Sequence, residues 1–159
     1  MDILQLIEAL VTQLVEEVGG KTVMRKPFPR LTFAESMARY GNDKPDLRFG
    51  LPFADLSDIV GGSAFGVFRD TVAGGGEVKA VRGPGLAEYS RRQIDEIGVI
   101  AATGGAKGLA TLAFTADGVK SPIAKFLTDA EIAAIRERAE AQPGDLLMIV
   151  AGSPKVVAE

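Results

Sequence analysis

The side chains of this chain that could do chemistry are carboxylates, lysines and arginines, because its 159 residues include no Cys and no His. Disulfides, thiolate or imidazole metal sites and Ser-His or Cys-His nucleophile pairs are therefore excluded. Adjacent carboxylates stand at Asp95-Glu96, with others at Glu131, Glu137 and Glu140. Each lies on the outer face of an expected helix, where solvated carboxylates are ordinary, so no catalytic acid/base pair is assigned. Gly104-Gly105-Ala106-Lys107-Gly108 holds a lysine among glycines. It lacks the Ser or Thr after the lysine and the longer glycine-spaced loop of a P-loop, and it is expected to follow a helix. Gly61-Gly62-Ser63-Ala64-Phe65-Gly66 is expected to precede a strand, whereas a dinucleotide fingerprint follows one and opens a helix. No cofactor or metal site is assigned.

The basic residues are more informative. Between residues 78 and 126, Lys79, Arg82, Arg91, Arg92, Lys107, Lys120 and Lys125 stand against Glu88, Asp95, Glu96 and Asp117. This is a local positive excess in a chain whose formal net charge is −3. Several of these cations fall at turns or at a helix N-terminus, where backbone N–H groups also favour phosphate. Arg91 and Arg92 oppose the dipole in a first helical turn, a small cost that an approaching phosphate offsets. The same residues also fit an ordinary solvated surface.

These positions need elements to hold them. With 47% hydrophobic and 25% charged residues, the chain can bury one core. Leu4, Ile7, Leu10, Val11, Leu14, Val15 and Val18 recur at helical spacing before Gly19-Gly20, predicting an amphipathic helix. Its apolar face belongs either to the core of this domain or to a domain outside this chain. Thr32 and Glu35 form a capping box for a helix over Phe33 to Arg39, and a brief helix is expected from Phe53 to Val60. Phe65 to Asp70 and Val78 to Val81 are expected to be strands of a hairpin turned by Gly74-Gly75-Gly76. Ser90 and Gln93 cap a helix whose apolar face is Ile94, Ile97, Ile100 and Ala101. Residues 108–114 read as a strand, Thr128 and Glu131 cap a last helix bearing Ile132, Ile135 and Ala139, and residues 146–150 form a final strand. The expected class is α+β: two layers, a mainly antiparallel sheet with helices on one face, plus an N-terminal helical segment. No stretch approaches the roughly 20 apolar residues that span a bilayer, and no basic region precedes an apolar run at the N-terminus. A cytoplasmic location is expected from the absence of any address.

The stretch Arg39-Tyr40-Gly41-Asn42-Asp43-Lys44-Pro45-Asp46-Leu47-Arg48-Phe49-Gly50 is too polar for a core and too rigid for a slack linker. With Pro27-Phe28-Pro29-Arg30-Leu31-Thr32-Phe33-Ala34-Glu35-Ser36-Met37 before it, it resembles the segment of bacterial-type aspartyl-tRNA synthetases that leads from the catalytic domain into the inserted domain. Asn42 stands where that family most often has Ser or Thr, and it keeps a side-chain acceptor for the turn. Val78-Lys79-Ala80-Val81, Gly83-Pro84-Gly85, Ser90 to Glu96, Gly105 to Ala110, Ser121 to Leu127 and Gly144-Asp145-Leu146-Leu147 resemble successive blocks of the GAD domain of those enzymes. The resemblance implies a helical linker segment over 1–62, from the edge of a catalytic domain, and a GAD insertion domain over 63–159. It implies a homodimeric, cytoplasmic parent that uses ATP and Mg to attach aspartate to tRNA. The three class-defining motifs and the anticodon-reading OB-fold of that parent lie outside this chain, so the chain itself is expected to be inactive and without a cofactor. Its implied partners are the parent's catalytic domain and, weakly, the tRNA acceptor arm, which the seven cations would face. The same module occurs in a subunit of a tRNA-dependent amidotransferase. The linker string favours the synthetase over that subunit; a stand-alone interaction protein is the third reading.

Overall fold

The structure, a computed structural model, describes residues 2–159. It contains two compact units, Met1–Thr32 and Phe33–Glu159. In the first unit, helix α1 (Ile3–Gln13) runs on into a π-helical turn, Leu14–Val18. Two carboxylates of this helix hold the chain that follows: Glu8 accepts from Phe28 N at 2.7 Å and Glu16 from Lys26 Nζ at 2.7 Å. The Lys26 ammonium, then the Val23 N–H, keep the Glu16 carboxyl below its ordinary pKa. The expected apolar stripe is present but uncovered: Leu4, Ile7, Leu10 and Leu14 are each at least half exposed.

The second unit is built on five antiparallel strands in the order β1-β2-β5-β3-β4. They are β1 (Ala54–Asp55), β2 (Glu77–Gly83), β3 (Ala110–Thr115), β4 (Gly118–Lys120) and β5 (Leu146–Gly152). Around them lie α2 (Phe33–Tyr40), α3 (Ser57–Val60), α4 (Gly66–Ala73), α5 (Arg91–Thr103), α6 (Asp129–Arg138) and α7 (Pro154–Ala158). The α+β class is the one expected from the sequence. Strand alternation sends Val78, Ala80, Leu112, Phe114, Leu147 and Ile149 to one face. There they pack with Leu56 just before α3 and Val60 within it, Phe68 of α4, Ile135 of α6 and Ala139 at the end of α6 to make the core. The cross-strand pairs Glu77↔Gly152, Lys79↔Val150 and Val81↔Met148 share the opposite face. Helix α7 lies against that face, since a Cβ on Gly152 would meet the side chain of Val156.

The segment expected to be the first arm of a hairpin is instead helix α4. Its burial follows a helical period: Phe68 is 1% exposed while Val67 is 58% exposed. Phe65, Phe68 and Val72 share the core side, an i, i+3, i+7 set that a strand would split between two faces. The edge-to-face contact of Phe65 and Phe68, with ring centroids 4.8 Å apart, depends on that spacing. The three glycines therefore end a helix. Gly75 has φ +79°, and Gly76 N donates to Thr71 O, which is the helix-stop geometry glycine suits. A second correction concerns α5: Ile100, expected inward, is 69% exposed.

Candidate nucleic-acid interface

The fold separates the seven candidate cations. Lys79 alternates with core residues on a central strand and is only 9% exposed, beneath the face that α7 covers. Its Nζ lies 2.8 Å from Glu77 Oε2. That oxygen has no directed hydrogen bond, so the contact is ionic. Lys79 is therefore a buried cation paired with the partly exposed Glu77, and the expectation that it faces RNA is withdrawn. Arg82 is also occupied: its Nη1 donates to Glu140 O at 2.6 Å and lies 3.9 Å from Asp145 Oδ2. Asp145 is buried and accepts from Gly85 N at 3.1 Å and Gln142 N at 2.9 Å. It thus ties the loop after β2 to the loop before β5.

The other five cations reach solvent. Arg91 and Arg92 occupy the first turn of α5, with side chains 95% and 88% exposed. The capping box read from the sequence is formed: Gln93 N donates to Ser90 Oγ, and Ser90 N donates to Gln93 Oε1. It leaves the N–H groups of Arg91 and Arg92 directed out of the helix end. One turn on, Arg92 Nε donates to Glu96 Oε1 at 2.9 Å, and Arg91 Nε lies 4.0 Å from Asp95 Oδ2. The carboxylates set aside as a catalytic pair are thus i+4 partners of the arginines. Lys107 follows the far end of α5, roughly 20 Å along the axis from Arg91. Lys120 ends β4, and Lys125 sits with its Nζ 5.0 Å from the Phe126 ring centroid. Arg91 and Arg92 are thus adjacent on one helical turn, with their side chains in solvent.

The glycine strings are structural. Gly104 and Gly105 end α5 against α7: a Cβ on Gly104 would meet Glu159, and one on Gly105 would meet Val156. Gly61 ends helix α3, and the string leads from that helix into α4 at Gly66, so the strand that a dinucleotide fingerprint requires before it is missing. In the polar stretch after α2, local bonds hold the turn, and Asp46 and Arg48 pair with each other. Asn42 Oδ1 accepts from Lys44 N at 2.9 Å, and Arg48 grips Asp46 through Nε and Nη2. The Arg48 guanidinium lowers the Asp46 pKa to about 2. No group of three or more metal-ligating side chains occurs among the described residues. No helix among them is long and apolar enough to cross a membrane.

Sequence reasoning missed the groove between β4 and α6, lined by Phe114, Val119, Ile132, Ala133 and Glu137. Its signal was available in the second stripe of α6, residues 129, 132, 133, 136, 137 and 140, beside the core stripe of Ile135 and Ala139.

Sequence comparison relates the chain to known proteins. Residues 68–159 match the GAD domain family. Over 158 residues the chain is 49% identical to the aspartate–tRNA(Asp/Asn) ligase of Rubrobacter xylanophilus, covering 99% of this chain and 26% of that protein. The aspartate–tRNA ligase of Geobacillus kaustophilus is 48% identical over 158 residues, again 99% of this chain and 27% of the relative. The chain spans about a quarter of the length of the curated relatives it matches.

Proposed function

Because the chain belongs to the GAD domain family, we propose that it is the inserted module of an aspartate–tRNA ligase and acts beside the tRNA acceptor arm without catalysing the reaction. The observation that carries this reading is the match over 99% of the chain, linker stretch included, to aspartate–tRNA ligases. In that setting the parent attaches aspartate to tRNA with ATP and Mg in a catalytic domain of its own, works as a cytoplasmic homodimer, and uses residues 63–159 as its insertion. The module contributes charge and shape. Arg91 and Arg92 offer two exposed guanidinium groups at a helix N-terminus, a site for backbone phosphates that reads no bases. Lys107, Lys120 and Lys125 extend the positive surface singly.

The test of the RNA-facing role is Arg91→Glu with Arg92→Glu in the full-length ligase. Lost phosphate contacts lower the log–log salt slope of tRNA binding by roughly 0.7–0.9 each. Unchanged low-salt affinity together with an unchanged slope refutes the role. The test of the non-catalytic reading is aspartate-dependent ATP–pyrophosphate exchange by residues 1–159 alone. No exchange is expected, and measurable exchange in a clean preparation refutes it.

A further inference from the structure

The groove between β4 and α6 carries chemistry opposite to that of the α5 arginines. Its cavity is about 690 Å³. Val119 on one wall and Ile132 and Ala133 on the other give it an apolar floor. Asp129 and Glu137 stand on the α6 wall, one at the start of the helix and one near its end. Glu140 adds a third carboxylate at the rim, on a residue with φ +51° where a helix end ordinarily takes glycine. Among the described residues none of the three forms a salt bridge within 4.0 Å, although Glu137 acts electrostatically on the neighbouring Arg138. The one cation in the lining, Arg136, is exposed but tethered: its Nε donates to Ala141 O at 3.1 Å and its guanidinium lies 5.8 Å from the Phe114 ring centroid, so three carboxylates face one held guanidinium.

The backbone beside this groove is open. Phe114 N donates to Asp145 O at 2.9 Å and Phe114 O accepts from Gly144 N at 2.6 Å, so both groups face β5. Phe114 pairs with Val119 across the β3–β4 ladder. In an antiparallel ladder that pair is a non-hydrogen-bonded one. The N–H and C=O of Val119 consequently point away from β3, at the outer edge of the sheet, since β4 is the last strand. A strand added there would border the groove, whose lining includes Val119. Asp129 and Glu137 are eight residues apart on α6, about 12 Å, which four residues of extended chain span at roughly 3.3 Å each. Side chains i, i+2 and i+4 of such a strand face one side.

We propose that this groove docks an extended protein segment of the pattern Lys/Arg-x-aliphatic-x-Lys/Arg, added to the sheet at Val119. Its two cations meet Asp129 and Glu137, and its aliphatic side chain rests on Ile132 and Ala133. The rim carboxylates repel nucleic acid, so the occupant is protein.

The probe is a dye-labelled, end-capped peptide, Thr-Lys-Thr-Val-Thr-Lys-Thr, titrated with the whole chain and followed by fluorescence anisotropy. Saturable, salt-sensitive binding is expected. It should weaken about tenfold when the second lysine moves one residue earlier, and about tenfold again in Asp129→Asn with Glu137→Gln, two surface charge pairs being lost. Both substitutions are on exposed positions, and an unchanged melting temperature confirms that the fold is kept. N-methylation of alternate peptide residues should abolish binding in one phase and not in the other, as edge pairing requires. Equal binding of the shifted or glutamate-substituted peptide, equal effects of both methylation phases, or no binding at all overturns the proposal. So does tighter binding of a tRNA acceptor hairpin that the same two substitutions change. The pattern also stands in this chain at Lys21-Thr22-Val23-Met24-Arg25. Dimerisation of the chain abolished by Asp129→Asn with Glu137→Gln would give the groove to a second copy, and likewise overturns an external partner.

Discussion

Replacing Asp145 tests whether one buried carboxylate fixes the two loops that frame the sheet. Its oxygens take Gly85 N at 3.1 Å and Gln142 N at 2.9 Å, and Arg82 lies 3.9 Å away. A hydrogen bond to a charged acceptor is worth roughly 1.5–3 kcal/mol net. Gly85 and Gln142 are themselves exposed, so water can re-solvate both amides once the carboxylate is gone and the lower end applies. Two bonds then give about 3 kcal/mol for Asp145→Ala. The Arg82 contact adds at most a few tenths, being long and partly solvated. Asp145→Asn keeps one acceptor but sets an NH2 against the other amide, costing about 1.5 kcal/mol. The chain has no Trp and two Tyr, and both Tyr40 and Tyr89 lie in the second unit. Urea unfolding followed by tyrosine fluorescence therefore reports that unit without the signal of α1. Asp145→Ala within about 0.5 kcal/mol of the parent sequence, or an Asn variant no better than the Ala variant, refutes the reasoning, since ordinary surface substitutions fall in that range.

Ile135→Ala empties a fully buried site between α6 and the sheet, and about 3 kcal/mol of stability should be lost in the same unfolding assay. The Asp58 carboxyl, held by Arg138 at 2.8 and 2.9 Å, has its pKa lowered by that guanidinium. Its contribution is therefore complete above the unfolded value near 4 and lost as pH falls through the depressed folded value. Arg138→Gln should lower stability slightly at neutral pH, where the exposed pair contributes little, and leave it unchanged below the depressed folded value, so that the acid side of the stability–pH curve becomes a little flatter. Finally, the uncovered stripe of α1 should make residues 1–159 self-associate or fray at that end. Light scattering showing a strict monomer, together with slow amide exchange across residues 4–18, contradicts both.

What could be read in the sequence were the elements that announce themselves locally. Ser90 with Gln93 and Thr128 with Glu131 are capping boxes in the structure as in the sequence, because the bonds that define such a box span only three residues. Helix α4 escaped because it starts without a side-chain cap, and because Phe65-Gly66-Val67-Phe68 satisfies a two-residue period over too short a run. Strands β1 and β4 have two and three residues, too few for alternation to register. Helix α7 did carry a signal: Ser153 followed by Pro154 places proline at the first helical position, where its fixed φ suits a helix start. The site was less legible. Period two already put Lys79 opposite Val78 and Ala80, but only the return of α7 over that face shows it to be covered. Arg82 needed a partner 58 residues away, a contact no local pattern encodes.

These placements change the electrostatic expectation for RNA. With Lys79 and Arg82 taken up by the fold, five cations remain against the same four carboxylates of residues 78–126, so the local excess is much reduced. Two of those carboxylates, Asp95 and Glu96, already pair with Arg91 and Arg92. Exposed i+4 pairs are worth only about 0.3–0.5 kcal/mol each, less than a charge-assisted bond to a phosphate contributes, so a phosphate can take the guanidinium groups from them. The net gain per contact is correspondingly small. In the proposed role, the module's share of tRNA affinity would be a minor, salt-sensitive part of the whole, which is why the double reversal at Arg91 and Arg92 is to be read by its salt slope rather than by affinity at one ionic strength.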